Sequence, residues 1–145
     1  MEVVIVQDRM EKRKIIEVCN TAFSVGMLRL SNIEDVFNKI DKNAVFIAAY
    51  DKNMPVGYVA IYANDYVSKI AYISMIAVLE NMQRKHIGSE LMNRCIVEAT
   101  KNNMEYIRLE VHKSNQKAIS FYEHYGFEFE TECSDKSNYL IKKII

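Results

Sequence analysis

Tyr122 sits in the segment Asn115-Gln116-Lys117-Ala118-Ile119-Ser120-Phe121-Tyr122-Glu123-His124-Tyr125-Gly126-Phe127, with the spacing N-x-x-A-x-x-x-Y-x-x-x-G-F. A phenol with a pKa near 10 stays protonated at neutral pH and can hand a proton or a hydrogen bond to a departing group. The same tyrosine, flanked by Phe121 and Tyr125 on a helical stretch, is also compatible with a core aromatic whose hydroxyl is satisfied. Some thirty residues earlier, Gln83-Arg84-Lys85-His86-Ile87-Gly88 lies between a strand ending near Leu79 and a helix beginning near Ile87. The first turn of a helix carries amides without intrahelical partners and about half a positive charge, so a phosphate can be held there by backbone N–H groups. Gly88 permits close backbone approach, and Arg84 and Lys85 add mobile positive charge. A solvated basic loop before an ordinary amphipathic helix accounts for the same six residues.

The elements that must position these groups follow from the apolar period. Residues 3–6 form a short opening strand. A helix over 11–23 draws one stripe from Ile15, Ile16, Cys19, Ala22 and Phe23, and Gly26 marks its end or the loop beyond. Ser31-Asn32-Ile33-Glu34 reads as a capping box opening a second helix, which buries Ile33, Val36, Phe37 and Ile40. From Ala44 the pattern changes. Residues 45–50, 56–62 and 70–79 are β-rich runs separated by turn chemistry at 51–55 and Asn64-Asp65, an antiparallel meander. Residues 87–99 are helical, with Ile87, Leu91, Met92, Cys95, Ile96 and Ala99 on one face. Residues 106–111 are strand-like, and Ser114 or Asn115 can cap a further helix that ends before Gly126. Residues 127–131 and 139–144 close the chain as a pair of strands. The order predicts an α/β (α+β) single domain over residues 1–145: a central mixed, mostly antiparallel twisted sheet with helices on both faces.

Composition narrows the function classes. A chain of 145 residues suits one core, and 19 Lys plus Arg against 19 Asp plus Glu leave no long-range field for nucleic acid or an anionic membrane. Cys19, Cys95 and Cys133 are odd in number and widely spaced, and read as reduced structural thiols of a cytoplasmic protein. His86, His112 and His124 show no metal-ligand spacing, so no metal is expected. No apolar run approaches a membrane span, and the first residues do not read as a secretion signal. Neither G-x-G-x-x-G nor G-x-x-x-x-G-K-S/T occurs, which argues against a Rossmann or P-loop nucleotide site.

Taken together, the Asn115–Phe127 pattern and the Q-R-K-H-I-G loop resemble the GNAT superfamily of acyl-CoA-dependent N-acetyltransferases, and the likeness spans almost the whole chain. The resemblance implies acetyl-CoA as cosubstrate, its pyrophosphate wrapped by amides of the Gln83, Arg84, Lys85, His86, Ile87, Gly88 and Ser89 segment. His86 stands where that family usually has its first glycine; a positive φ there would cost something of order 1 kcal/mol, although His tolerates such angles better than most residues. By the same resemblance, main-chain groups of Ile76, Ala77 and Val78 pair with pantetheine like an added strand. Asn115 bonds to the pantetheine arm or an ordered water, and Tyr122 offers its hydroxyl to the thioester sulfur. An amide near Val78 is placed to polarise the carbonyl, and the amine attacks directly without an acyl-enzyme.

A general base is harder to assign. Residues 70–78 contain no carboxylate, Tyr72 standing at the corresponding position, and Glu110 and His112 are the nearest candidates. The implied acceptor is a primary amine of a small molecule, amino sugar or peptide, selected by residues 24–30 and 133–138. Asp135, Glu34 and Asp35 are candidate partners for a cationic amine, and Tyr58, Tyr62 and Tyr66 candidate groove residues. A homodimer accords with the resemblance. The competing function is a non-catalytic acetyl-CoA-binding sensor of the same fold, motivated by His86 and the missing carboxylate.

Overall fold

Apolar residues that alternate along β-strands can be buried on both sides only if helices cover both sides, and this chain supplies helices for each. The computed structural model describes residues 1–19, 32–83 and 86–145. The elements are β1 (Glu2–Ile5), α1 (Arg9–Cys19), α2 (Ile33–Asn43), β2 (Val45–Asp51), β3 (Met54–Tyr62), β4 (Ile70–Val78), α3 (Ile87–Lys101), β5 (Tyr106–His112), α4 (Gln116–His124), β6 (Glu128–Glu132) and β7 (Ser137–Lys143), with a 3-10 turn at Glu80–Met82. The sheet order is β1-β2-β3-β4-β5-β7-β6, antiparallel throughout except for the parallel β4–β5 pair. This is the mixed sheet and the element order expected from the sequence.

Each face has its own core. Phe46, Ala48, Tyr58 and Ala60 project towards α1 and α2, meeting Ile15, Ile16, Cys19, Phe37 and Ile40. Ile47, Ala49, Val59 and Ile61 project the other way, against Ile87, Leu91, Met92, Cys95 and Ala99 of α3. Tyr58 is fully buried and stacks on Phe46 with ring centroids 5.2 Å apart. The reading of Tyr58 as an exposed groove aromatic is therefore corrected: the even positions of β3 face a helix layer, not solvent.

Strand boundaries shift from the sequence pattern by one or two residues, β3 for example beginning at Met54 inside the expected 51–55 turn. Phe127 is a buried core residue ahead of β6, and β7 begins at Ser137 because the polar turn closes with Cys133 N–H donating to the Ser137 carbonyl at 3.0 Å. Asn32 occupies the N-cap of α2 without a side-chain bond, while Ala22, Phe23, Gly26 and Ser31 lie outside the described residues. Asn115, rather than Ser114, caps α4, its Oδ1 accepting the Ala118 N–H at 3.2 Å.

The feature that positions the site is in β4. Ala60 pairs with Met75 and Ile61 with Ile73, leaving Ser74 as an extra residue, a β-bulge. One added residue inverts the facing of everything beyond it. Ala71 and Ile73 face α3, whereas beyond the bulge Met75 and Ala77 join the α1/α2 core and Ile76 and Val78 turn towards α3. Pairing of β4 with β5 stops at Ile73–Leu109, while β4 continues to Val78 and β5 to His112. The two parallel strands thus part in mid-sheet.

The α1/α2 layer is braced by ion pairs, Arg13 with Glu34 and a cluster centred on Asp41. Asp41 of α2 accepts from Lys12 Nζ at 3.0 Å and from Arg9 at 2.9 Å, and Lys12 is only 5 % exposed. The Lys12 hydrogen bond is the main reason the Asp41 carboxyl lies below its ordinary range, in spite of some burial. Asp41→Ala should lower stability by about 2 kcal/mol, because it removes the carboxylate from a buried ammonium and leaves the residue-41 carbonyl, at 3.2 Å, as its remaining partner, measured by urea unfolding at pH 7. Since the folded-state pKa is depressed, the stabilisation is present above the unfolded-state value near 4 and fades as pH falls through the folded value. The difference between wild type and variant should shrink in acid.

Candidate active site

Where β4 and β5 part, the main chain of β4 on that side has no strand to pair with. The Leu79 N–H donates to Val56 on β3 at 2.9 Å, so by strand alternation the N–H and C=O of Val78 and Ile76 point the other way, into the opening. Gln83 Nε2 donates to the Val78 carbonyl from that side at 3.1 Å, in keeping with this direction. Ala77 lies opposite Tyr58 on β3 and serves as wall between the two.

A cavity of about 310 Å³ brings together Ile76, Ala77, Val78, Gln83, Gly88, Asn115, Lys117, Ala118, Phe121 and Tyr122. Seven of the sequence candidates thus meet at one place. His86, Ile87 and Ser89 adjoin the cavity through the start of α3 without lining it: Ile87 buries its side chain in the core, and His86 is the exposed N-cap. Arg84 and Lys85 lie outside the described residues. Lys117 was not singled out from the sequence. Its Nζ donates to Gln83 Oε1 at 2.6 Å, tying the first turn of α4 to the loop before α3; its place two residues past the Asn115 cap is the signal that could have found it. Phe121, read as packing, both lines the cavity and lies over Gly88, where an added Cβ would sit 3.2 Å from the ring.

Tyr122 is 8 % exposed, and burial pushes its phenol up to about 12. It therefore keeps its proton across the physiological range. A second cavity, of about 260 Å³, shares Tyr122, Asn115, Ala118 and Ile76 with the first and extends through the parted strands to Ser74, Glu110 and His112. His112 Nδ1 is occupied, accepting the Ser114 N–H at 3.2 Å, with the Ser114 hydroxyl 2.6 Å away. Glu110 accepts from the Ser137 hydroxyl at 2.6 Å through one oxygen.

On the α1/α2 side, a third space of about 610 Å³ is bounded by Lys39, Tyr62, Asp65, Ser74, Tyr72, Arg108 and Tyr139, among others. It meets the second cavity at Ser74. Burial, and then the charge of Glu110, raise the Tyr72 hydroxyl to about 12. Of the residues considered for the acceptor, Tyr62 lines this space; Tyr66 and Asp135 are exposed elsewhere, and Glu34 pairs with Arg13 at 2.9 Å. Residues 24–30 lie outside the described residues. Cys95 is deeply buried and its thiol pushed well up, while Cys133 bonds to Tyr139 at the rim. Among the described residues, no group of three or more His, Cys, Asp or Glu is placed to hold a metal, and no helix is long and apolar enough to cross a membrane.

The model of the acetyltransferase (GNAT) family matches residues 14–127, and the chain belongs to that family. Solved structures share the fold over nearly the full length. A PaiA N-acetyltransferase from Thermoplasma acidophilum in complex with coenzyme A has 18% identity and a TM-score of 0.78, covering 99% of each chain. The ribosomal-protein-S18-alanine N-acetyltransferase from Escherichia coli has 18% identity and a TM-score of 0.80, covering 99% of this chain and 94% of that one. An aminoglycoside 6'-acetyltransferase type Ii has 15% identity and a TM-score of 0.80, covering 100% and 98%.

His86 adopts φ 62° and ψ 19°, the left-handed region, and its carbonyl accepts the Glu90 N–H at 3.1 Å to start α3. A Cβ in that region is strained, so the position favours glycine. His86→Gly should raise stability by up to about 1 kcal/mol, the gain being reduced by glycine's larger unfolded-state entropy. Thermal unfolding of the two proteins checks it; a lower melting temperature would mean that the imidazole makes a compensating contact.

Proposed function

We propose that the protein is an N-acetyltransferase that moves the acetyl group of acetyl-CoA to a primary amine by direct attack, with Tyr122 as the proton donor to the leaving thiolate. The observation that carries the reading is the position of Tyr122: a buried, protonated phenol at the junction of the cavities on the two sides of the parted strands.

In this reading Ile76 and Val78 offer main-chain groups to the pantetheine amides, with Ala77 as wall, and the Val78 N–H polarises the thioester carbonyl. The side chain of Gln83 leaves the Val78 carbonyl to admit the cofactor and turns to the phosphates. The amides from His86 to Ser89, together with Arg84, Lys85 and Lys117, hold the pyrophosphate at the positive end of α3. Asn115, with Oδ1 spent on the helix cap, has its amide nitrogen for the pantetheine arm or a water. Glu110 takes the proton of the incoming ammonium through its free oxygen or a water, since the His112 Nδ1 lone pair is already engaged. The neutral amine adds to the thioester carbonyl, forming the C–N bond; the tetrahedral intermediate then collapses with cleavage of the C–S bond, the Tyr122 proton passes to sulfur, and the second proton lost by the nitrogen returns to the phenol through water. The place of Tyr122 on both cavities supports catalysis over a sensor that only holds acetyl-CoA.

Calorimetric titration with acetyl-CoA should give micromolar binding, about −8 kcal/mol, in wild type and Tyr122→Phe alike. Thiol release with an accepted amine should fall about ten- to a thousandfold in the variant. Undetectable binding would overturn the cofactor assignment; unchanged turnover would remove Tyr122 from the chemistry.

A further inference from the structure

The space on the α1/α2 side carries information about the acceptor itself, provided that the transfer reading above holds. Its lining includes three charged side chains, Lys39, Asp65 and Arg108. Two are already engaged. Arg108 is held in a two-pronged pair with Glu130, Nε and NH2 each donating at 2.7 Å. Asp65 is turned into its own loop, Oδ1 accepting the N–H groups of Val67 and Ser68 at 3.2 and 3.1 Å and Oδ2 the Ser68 hydroxyl at 2.6 Å, and these bonds hold its carboxyl below the ordinary range. Lys39 differs. Its ammonium lies 5.6 Å from the centre of the Tyr62 ring and has no carboxylate partner among the described residues.

A cation that meets only the face of an aromatic ring keeps its capacity to pair with an anion. Tyr62, Tyr72 and Tyr139 line the same space, Tyr62 bonded to Ser74 and Tyr139 to Cys133; a phenol that exchanges such a neutral partner can donate to an anionic oxygen. The distance to the chemistry can be read along the strand. Tyr62 pairs with Tyr72, and Ser74, which joins this space to the cavity of Tyr122, is two residues further along β4, about 7 Å. An acceptor that reached both ends would carry its amine and its anionic group several ångströms apart.

We propose that the acceptor is a carboxylate-bearing amine whose reactive nitrogen lies well away from the carboxylate, as in the side-chain amine of lysine or the terminal amine of a dipeptide, and that Lys39 is the residue that selects it by pairing with the carboxylate. A polycationic amine is disfavoured at Lys39, which it would meet with like charge; Asp65, the carboxylate of the described lining, is turned into its own loop.

The test compares acids with their neutral amides: Nα-acetyl-lysine against Nα-acetyl-lysinamide and glycylglycine against glycylglycinamide, with spermidine as the polycation. Thiol release measures transfer, and titration of each compound into the protein saturated with CoA measures binding without turnover. The acid of at least one pair should be preferred at least tenfold in kcat/KM, or in Kd where turnover is undetectable. Lys39→Glu should abolish or reverse that preference through KM, leaving acetyl-CoA affinity unchanged. Equal handling of acid and amide, preference for spermidine, binding of neither acid, or a preference that survives Lys39→Glu would each overturn the inference. Failure of acetyl-CoA to bind is a different result: it removes the transfer reading itself.

Discussion

A main-chain N–H or C=O taken from water must find a partner, and in this protein that requirement is concentrated on the far half of β4. The bulge at Ser74 and the end of β4–β5 pairing at Ile73 and Leu109 leave Ile76 and Val78 with polar groups aimed at a gap instead of a strand. Everything of interest is arranged around that deficit. Gln83 meets the Val78 carbonyl, Lys117 secures Gln83, and α4 brings Tyr122 to the same gap. A sheet with regular pairing through all seven strands would have no such place, since its backbone groups would satisfy one another.

The bulge has a second effect, on packing. The change of facing at Ser74 lets β4 contribute Ala71 and Ile73 to one core, then Met75 and Ala77 to the other, while Ile76 and Val78 are presented to the cavity. Small side chains matter here. Gly57 on β3 sits where an added Cβ would approach the Ala77 carbonyl oxygen to 2.9 Å and the side chains of Leu91 and Ile87 to 3.2 and 3.3 Å, so α3 can lie close on the sheet and bring its start beside the gap. The first turn of α3 is therefore placed by packing as much as by the loop before it.

The architecture was legible because each element has a strong period and clear punctuation. The 3.6-residue stripe of α3, the β-rich runs of β2 to β4 and the Asn115 and Gly126 boundaries of α4 left little freedom in the order. Tyr58 was misread because in a sheet covered on both sides alternation no longer separates inside from outside, so a tyrosine at an even position looks like any half-exposed aromatic. The N-terminal edge of β7 was missed because it is set by the hydrogen bond of a polar turn, a contact with no apolar signature. The gathering of Tyr122, Asn115, Gly88 and residues 76–78 could be expected from the family resemblance that the two motifs carry. Lys117 and Lys39 could not: what distinguishes either from other surface lysines is which groups lie next to it, and that is a property of the fold.

The parted strands also make the sheet a wall with a slot in it. Material approaching from the α3/α4 side and material approaching from the α1/α2 side need not share an entrance, and they meet only where Ser74 and Tyr122 border a common space. Residues on α2 and the turn after β3 can therefore drift through evolutionary time without disturbing α3 or α4. One side of the wall is free to be re-lettered for a new partner while the other keeps its lock, a division of labour written into the backbone by one extra residue.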